Sequence, residues 1–288
     1  MQLRSLLVRL QLARGIGYGE RVKIFQYCRK RHVVVTDPRQ LTVIAKMPVN
    51  RRRRFVADWC SDDFQRRLQR HANVDILTIL DADYPVALLE SYHPPLVLFL
   101  RGHRELLATR QLAMVGARQA SPYAARVIDQ LVAPLAQHGI TIVSGLAKGA
   151  DGCAHQTALK YQLPTIAIIG TGLDISYPRT HAELQQQVSQ VGLLISEYPL
   201  GVGPERYHFV ERNRIIAGLC QTLVVVEARE HSGSLITANL ALQNNRNVLA
   251  VPGPIDAPLS VGCNQLIVAG AKPVLNSQHI IEEFLPEI

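Results

Sequence analysis

The chain has 288 residues and a formal net charge of +8, with 48% hydrophobic and 19% charged residues, the balance of a soluble globular protein. No apolar run approaches the ~20 residues of a membrane span, and the basic, Leu-rich beginning lacks the apolar core and cleavage site of a signal peptide, so a cytoplasmic protein is expected. The five cysteines are scattered without a Cys-x-x-Cys pair; they indicate neither a zinc site nor a disulfide framework, and no cofactor or metal is expected.

Charge is unevenly spread. Up to Val74 there are 17 Lys and Arg against 5 acids, whereas the rest of the chain is slightly acidic. A basic segment joined to a near-neutral one suggests a polyanionic partner.

Residues 1–74 read as a small helical domain. Leu3, Leu6, Leu7 and Leu10 fall at helical spacing, ARGIGYG breaks the pattern at Ala13 to Gly19, and Val22, Phe25 and Cys28 resume it. Helix, Gly-Ile-Gly, helix resembles a helix-hairpin-helix, a turn able to present amides to a DNA phosphate, although a glycine pair between helices also serves as a plain tight connection. Arg51 to Arg54, with Arg66, Arg67 and Arg70, form either a solvated face or a sequence-independent phosphate surface. Asp75 to Gly102 is connecting structure, rich in proline and aspartate, and the domain boundary is expected at its start, giving domains 1–74 and 75–288.

From Gln111 the pattern becomes regular. Apolar runs at 112–115, 141–144, 165–169, 193–196, 222–226 and 248–251, with a possible seventh at 273–275, alternate with helical patterns at about 122–138, 151–161, 181–190, 209–219, 234–244 and 263–269. Continuous apolar strands between helices predict an α/β domain, a Rossmann-like, doubly wound and mostly parallel sheet. Ligands of such sheets bind outside the carboxyl ends of the strands.

The loops at those ends share a character. ITIVSGLAKGADGCAH (Ile140 to His155) runs from strand through Ser144, Gly145, Lys148 and Gly149 into a helix start, an arrangement suited to an anion, although such glycines also serve tight packing. GARQASPY supplies Arg118, and GTGLDISYPR supplies Gly170, Gly172 and Arg179. The loop after the fourth strand is richest: Arg206, Phe209, Arg212, Asn213 and Arg214 lie within nine residues, before an apolar run. Cation, aromatic, cation suits a nucleic-acid strand, whose phosphates pair with arginine and whose unpaired bases stack on phenylalanine. Alternatively Phe209 is a core aromatic and Arg212 or Arg214 holds Glu197 or Glu211. One of these two arginines is expected to be structural and the other exposed.

These motifs follow one another in a familiar order. VGAR (115–118), SGLAKGADGCAH (144–155), GTGLD (170–174), YPR (177–179), SEYP (196–199), RNRIIAGL (212–219), HSGSLITA (231–238), VPGP (251–254) and GCNQLI (262–267) resemble the DNA-processing protein A family (DprA, also called Smf). The resemblance covers Asp75 to about Leu275, including the DADYP and PP-x-V-L stretches, and extends more weakly to a SAM-like or helix-hairpin-helix domain before it. It implies a non-enzymatic protein that binds single-stranded DNA without sequence preference, protects it in natural transformation and recombination (competence), and loads RecA onto it. A homodimer through the Rossmann-like domain is implied as well. Carried over by position, the pocket comprises Arg118, Ser144, Gly145, Lys148, Gly170, Gly172, Arg179, Arg206, Phe209, Arg212, Asn213 and Arg214. Many relatives continue into a C-terminal winged helix that this sequence does not reach, so that module is expected to be absent or the chain to have been shortened, and Val210 stands where proline often follows the phenylalanine.

Two other classes compete. A nucleotide-processing enzyme related to phosphoribohydrolases would use Glu197 or Glu227 as base, with Asp151 and His155 as a possible catalytic pair. Against it, VPGPID is not the PGGxGT-type loop, no Gly-x-Gly-x-x-Gly follows the first strand, and a helix-capping Asp151 with a packing His155 suits the spacing better. A double-stranded DNA architectural protein fits the basic N-terminal domain but leaves the strand-end loops idle.

Overall fold

In the computed structural model, which describes residues 2–285, the N-terminal leucines form helix α1 (Leu3–Leu12) and bury Leu6, Leu7 and Leu10 completely. Four more helices follow: α2 (Tyr18–Arg31), α3 (Pro38–Ile44), α4 (Val49–Trp59) and α5 (Asp62–Arg70), then strand β1 (Asp75–Thr78). Asp37 opens α3 by accepting the Arg39 N–H, and Ser61 opens α5 by accepting that of Phe64. These elements, with Pro95–Phe99, make one unit of the chain. Its core is Leu6, Leu10, Ile24, Leu41, Phe55 and Phe64, with Trp59 between Phe55 and Phe64 at ring distances of 5.4 and 5.1 Å.

The Gly-Ile-Gly turn does not leave its amides open. The Gly17 N–H donates to Glu20 at 2.6 Å and the Arg14 N–H to Asp58 at 2.8 Å, so carboxylates already stand where a phosphate would sit. Arg51 closes the arrangement, bonding Glu20 at 2.7 and 3.0 Å. The arginine run is likewise only partly a surface. Arg52 donates to the Met47 carbonyl, and Arg67, 9% exposed, is held by Asp58, Asp63 and the Leu12 carbonyl, which leaves Arg53 and Arg54 outward on α4.

The second unit holds Asp83–Pro94 and the chain from Leu100. Helix α6 (Val86–Leu89) and strand β2 (Val97–Gly102), which crosses the division between units, precede a regular alternation. It runs β3 (Arg110–Val115), α7 (Pro122–Val132), β4 (Ile140–Ser144), α8 (Ala150–Lys160), β5 (Thr165–Ile169), α9 (Ala182–Val191) and β6 (Leu193–Ser196). It continues with α10 (Arg206–Leu219), β7 (Thr222–Val225), α11 (Gly233–Gln243), β8 (Asn247–Ala250), α12 (Val261–Val268), β9 (Lys272–Pro273) and α13 (Gln278–Ile281). The strands of this unit stand in the order β6-β5-β4-β3-β7-β8-β9 with parallel ladders throughout, as the sequence pattern predicts. On central β3, Leu112 lies opposite Ile142 on one side and Thr222 on the other. Chain order therefore reverses at β3, which makes its carboxyl end the topological switch point.

Two predicted boundaries move for physical reasons. The helix expected over 122–138 stops at Val132, because Pro134 lacks the N–H that would continue it, and a 3₁₀ turn covers Ala133–Gln137. The helix expected from Phe209 begins three residues earlier, at Arg206; its first turn carries the exposed Arg206 and Tyr207, so no apolar period marks it.

Asp58 and Arg67 give the first unit an ion pair whose side chains are each about nine-tenths buried. Asp58→Ala leaves Arg67 with Asp63 and one carbonyl, an expected loss of about 2–3 kcal/mol. Trp59 is the chain's single tryptophan, so urea unfolding followed by its fluorescence reports this unit; an unchanged midpoint would show that the pair contributes nothing.

Candidate functional site

The loop from Ser144 to Gly149 enters α8 through Gly149, whose φ of +76° belongs to the region that glycine favours and whose missing Cβ lets the Ala117 carbonyl approach. Its neighbour Gly145 is required for a different reason. An added Cβ would lie 1.4 Å from Nη1 of Arg212, so the guanidinium of α10 occupies the space where a side chain would stand. Arg212 is 3% exposed and sits 3.8 Å from the Asp151 carboxylate. Burial pushes the Asp151 carboxyl up and the Arg212 guanidinium down, each against the pull of the other's charge. Asp151 also accepts the Ala147 N–H at 3.4 Å, so a carboxylate of the protein itself turns toward the loop that the sequence offers to an anion. His155 packs inside the fold: wholly buried, it contacts Thr165 Oγ1 at 2.8 Å, and burial followed by the nearby Arg212 charge lowers its pKa to about 3.

The two arginines of α10 differ from expectation. Neither is exposed: Arg212 lies against Gly145, and Arg214, its side chain only 13% exposed, donates to Glu197 at 2.5 Å. Asn213, between them, reaches the Gly233 carbonyl at 3.5 Å. Ser144 is fully buried and donates to the Met114 carbonyl, which ties β4 to β3 rather than facing solvent. Gly172 is enclosed by the Pro199 carbonyl and the Asp174 carboxylate.

What does converge on the carboxyl edge is an aromatic and cationic ridge. The Phe209 ring, half-buried, lies on Gly170 at the end of β5, where an added Cβ would come within 3.0 Å of it. The Arg118 guanidinium stands over this ring at 5.6 Å, and Tyr177, 44% exposed, packs beside it at 5.1 Å. Arg206 is exposed one helical turn before Phe209. Lys148 and Arg179 are exposed on two loops joined by His181, whose Nδ1 lies 3.0 Å from the Leu146 carbonyl and whose ring covers Gly152. Tyr177 was not singled out from the sequence, although its place in the YPR segment beside Arg179 was the available signal.

On the other side of Arg118 a cleft of about 550 Å³ opens at the switch point. Residues 115–119 at the end of β3, Arg212 and Asn213 of α10, Arg229, and Ser232 to Ser234 at the start of α11 line it. The glutamates weighed as general bases have structural duties. Glu227 accepts the Ser121 N–H and hydroxyl and so fixes the start of α7, while Glu197 accepts from Arg214. Among the described residues no cluster of three or more His, Cys, Asp or Glu is placed to hold a metal ion, and no helix is long and apolar enough to cross a membrane.

A doubly wound sheet with an arginine and aromatic ridge along its carboxyl edge defines a Rossmann-like protein equipped for a stacked, anionic ligand. The chain belongs to the DNA recombination-mediator protein A family, whose model matches residues 75–285. DNA processing protein DprA of Streptococcus pneumoniae is 45% identical over 207 residues, which are 72% of this chain and 73% of that protein. The X-ray structure of DprA from Streptococcus pneumoniae superposes with a TM-score of 0.91 at 35% identity, covering 100% of this chain and 99% of that one. A Helicobacter pylori DprA structure, solved in work on that protein's single-stranded DNA binding mode, superposes with a TM-score of 0.66 at 30% identity over 74% of this chain and 96% of that one.

The close approach at Gly145 makes a sharp test. Gly145→Ala must displace a buried guanidinium, at an expected cost of about 3 kcal/mol, whereas Gly203→Ala, with no atom within 4 Å of the added Cβ, leaves stability unchanged. Thermal unfolding by circular dichroism compares the two, and equal midpoints would mean that Arg212 is not fixed against the loop.

Proposed function

We propose that the chain binds single-stranded DNA without sequence preference, along the carboxyl edge of its sheet. The observation that carries this reading is Phe209 with the Arg118 guanidinium over its ring, Tyr177 beside it and its ring half-buried on Gly170. A fully buried ring would be core, and a fully exposed one would lack a fixed orientation. A ring backed by glycine and flanked by a cation offers a base a stacking surface and a phosphate its partner in the same place. Membership of the family and the printed subject of the Helicobacter pylori structure support the same ligand.

In this reading Arg118, Lys148, Arg179 and Arg206 contact phosphates, Phe209 and Tyr177 stack bases, and Gly170 gives the ring its seat. Arg212 and Ser144 hold the loops in place, Arg214 and Gly172 fix their surroundings, and Gly145 makes room for Arg212. The chain acts by binding rather than by catalysis, with the strand on the unit that holds Asp83–Pro94 and the chain from Leu100. Two further parts of the reading are protection of the strand with delivery of RecA recombinase to it, in transformation and recombination, and a homodimer through the Rossmann-like unit. Exposed Val268 on α12 and Leu275 after β9, 90% and 70% accessible, are apolar side chains suited to that contact.

Fluorescence anisotropy with a labelled oligothymidylate and the matching duplex across a salt series tests the binding. The single strand is expected to bind more tightly, Phe209→Ala to lose roughly 1–3 kcal/mol of affinity, and Arg118→Ala to flatten the slope of log K against log salt by about 0.7. Equal affinity of a folded Phe209→Ala protein would remove stacking from the account. Sedimentation of the Val268→Arg chain, with the rate of RecA filament growth on the strand in its presence, tests the remaining parts: a monomer that still binds DNA but no longer speeds growth is expected, and an unchanged sedimentation coefficient would exclude this surface as the dimer contact.

A further inference from the structure

The acids of the first unit are not spread among its cations. Between Arg21 and Ala57 the one side-chain carboxylate is Asp37, and it accepts the Arg39 N–H at the start of α3. The same stretch exposes eight lysine and arginine side chains. Helix α2 turns Lys23 and Lys30 to solvent, with Arg29 and Arg31 beside Lys30 in its last turn. Arg39 stands in the first turn of α3, Lys46 follows that helix, and Arg53 and Arg54 lie on α4. Among the described residues none of these side chains meets a carboxylate, whereas Arg51 and Arg67 are taken by Glu20, Asp58 and Asp63. Helix α3 packs against both α2 and α4, so the outward sides of the three helices adjoin.

The fold itself gains little from this arrangement. Cations suit the last turn of a helix, which accounts for Arg29 to Arg31, but they oppose the dipole in a first turn, where Arg39 stands. Arg53 has no acid three or four residues away on α4, and Asp58, four residues after Arg54, is engaged by Arg67. Like charges placed without local compensation suit an anion from outside the chain. What the face lacks then narrows the anion. Phe25, Phe55 and Trp59 are buried, and Tyr27 is half-buried with the Arg31 guanidinium over its ring at 5.2 Å. The exposed large apolar side chains of this stretch are Val33, Val43 and Val49. No exposed ring is there to stack an unpaired base or to anchor in a lipid interface. A duplex, whose bases are already stacked on one another, presents such a face with closely spaced phosphates.

We propose that the outward side of α2, α3 and α4 binds the phosphate backbone of duplex DNA without sequence preference. The site goes beyond the stacking ridge: it lies on the other unit of the chain, uses no aromatic ring and takes the other form of DNA. With both surfaces, one chain holds a single strand and a duplex at once.

Fluorescence anisotropy of the full chain with a labelled hairpin duplex across a salt series tests this. Lys30→Gln, Arg39→Gln and Arg53→Gln, combined in one variant, remove three exposed charges that no carboxylate holds, and circular dichroism with Trp59 fluorescence is expected to show the fold intact. The triple variant is expected to flatten the slope of log K against log salt for the duplex by about 0.9 per cation lost and to bind it at least about tenfold more weakly. Its affinity for oligothymidylate is expected to stay unchanged. The proposal is overturned if the duplex does not bind, if the triple variant binds it with the same affinity and slope, or if strand and duplex weaken equally. Loss of binding to phosphatidylserine vesicles with duplex binding intact would assign the face to a membrane instead. Phe209→Ala is expected to lose the strand and keep the duplex. If it keeps both, the ridge reading fails while the duplex result stands; if it loses both, the two forms share one site and the proposal fails.

Discussion

The buried guanidinium of Arg212 is the constraint on which the carboxyl edge of the sheet depends. A charge taken out of water must be compensated, and here the compensation is incomplete: one carboxylate at 3.8 Å and two nitrogens without partners. Gly145 leaves room for it, Asp151 faces it, and the Asp151 carboxylate in turn holds the loop amide of Ala147. The loop after β4, the start of α8 and the middle of α10 are therefore one electrostatic assembly.

The same logic sorts every cation in the molecule. A high count of arginine says little about polyanion binding until the internal acids are set against it. In the N-terminal unit Glu20, Asp58 and Asp63 engage Arg51 and Arg67 as well as two turn amides, so the basic residues that remain for a partner are fewer than the composition suggests. At the carboxyl edge the sorting runs the other way: Arg118, Lys148, Arg179 and Arg206 all face outward, and the inward pair is Arg212 and Arg214.

Much of this was legible in the sequence. The parallel strands are runs of β-branched and other apolar residues bounded by glycine, a pattern with few alternative readings, and β5 and β6 lie where it places them. The order of motifs identified the family. Hidden were the directions of individual side chains. Arg212 and Arg214 are two apart on one helix and look equivalent in a string; that both turn inward follows from Glu197, Asp151 and Gly145, which are near them only in the fold. Arg206 lay one turn outside the expected helix because its turn is exposed and carries no period. The cleft beside α11 was invisible for a related reason, since its walls come from five separate strand-end segments and none is distinctive alone.

The position of β3 also bears on how the chain is made. Its two neighbours are β4, which follows within thirty residues, and β7, which is translated only after the intervening β4, β5 and β6. During synthesis the half-sheet from β3 to β6 emerges first, and one flank of its central strand has unpaired main-chain groups until residues 222–225 leave the ribosome. The strand that covers this flank follows α10, so the helix bearing Phe209 is translated before the strand that closes the centre of the sheet behind it.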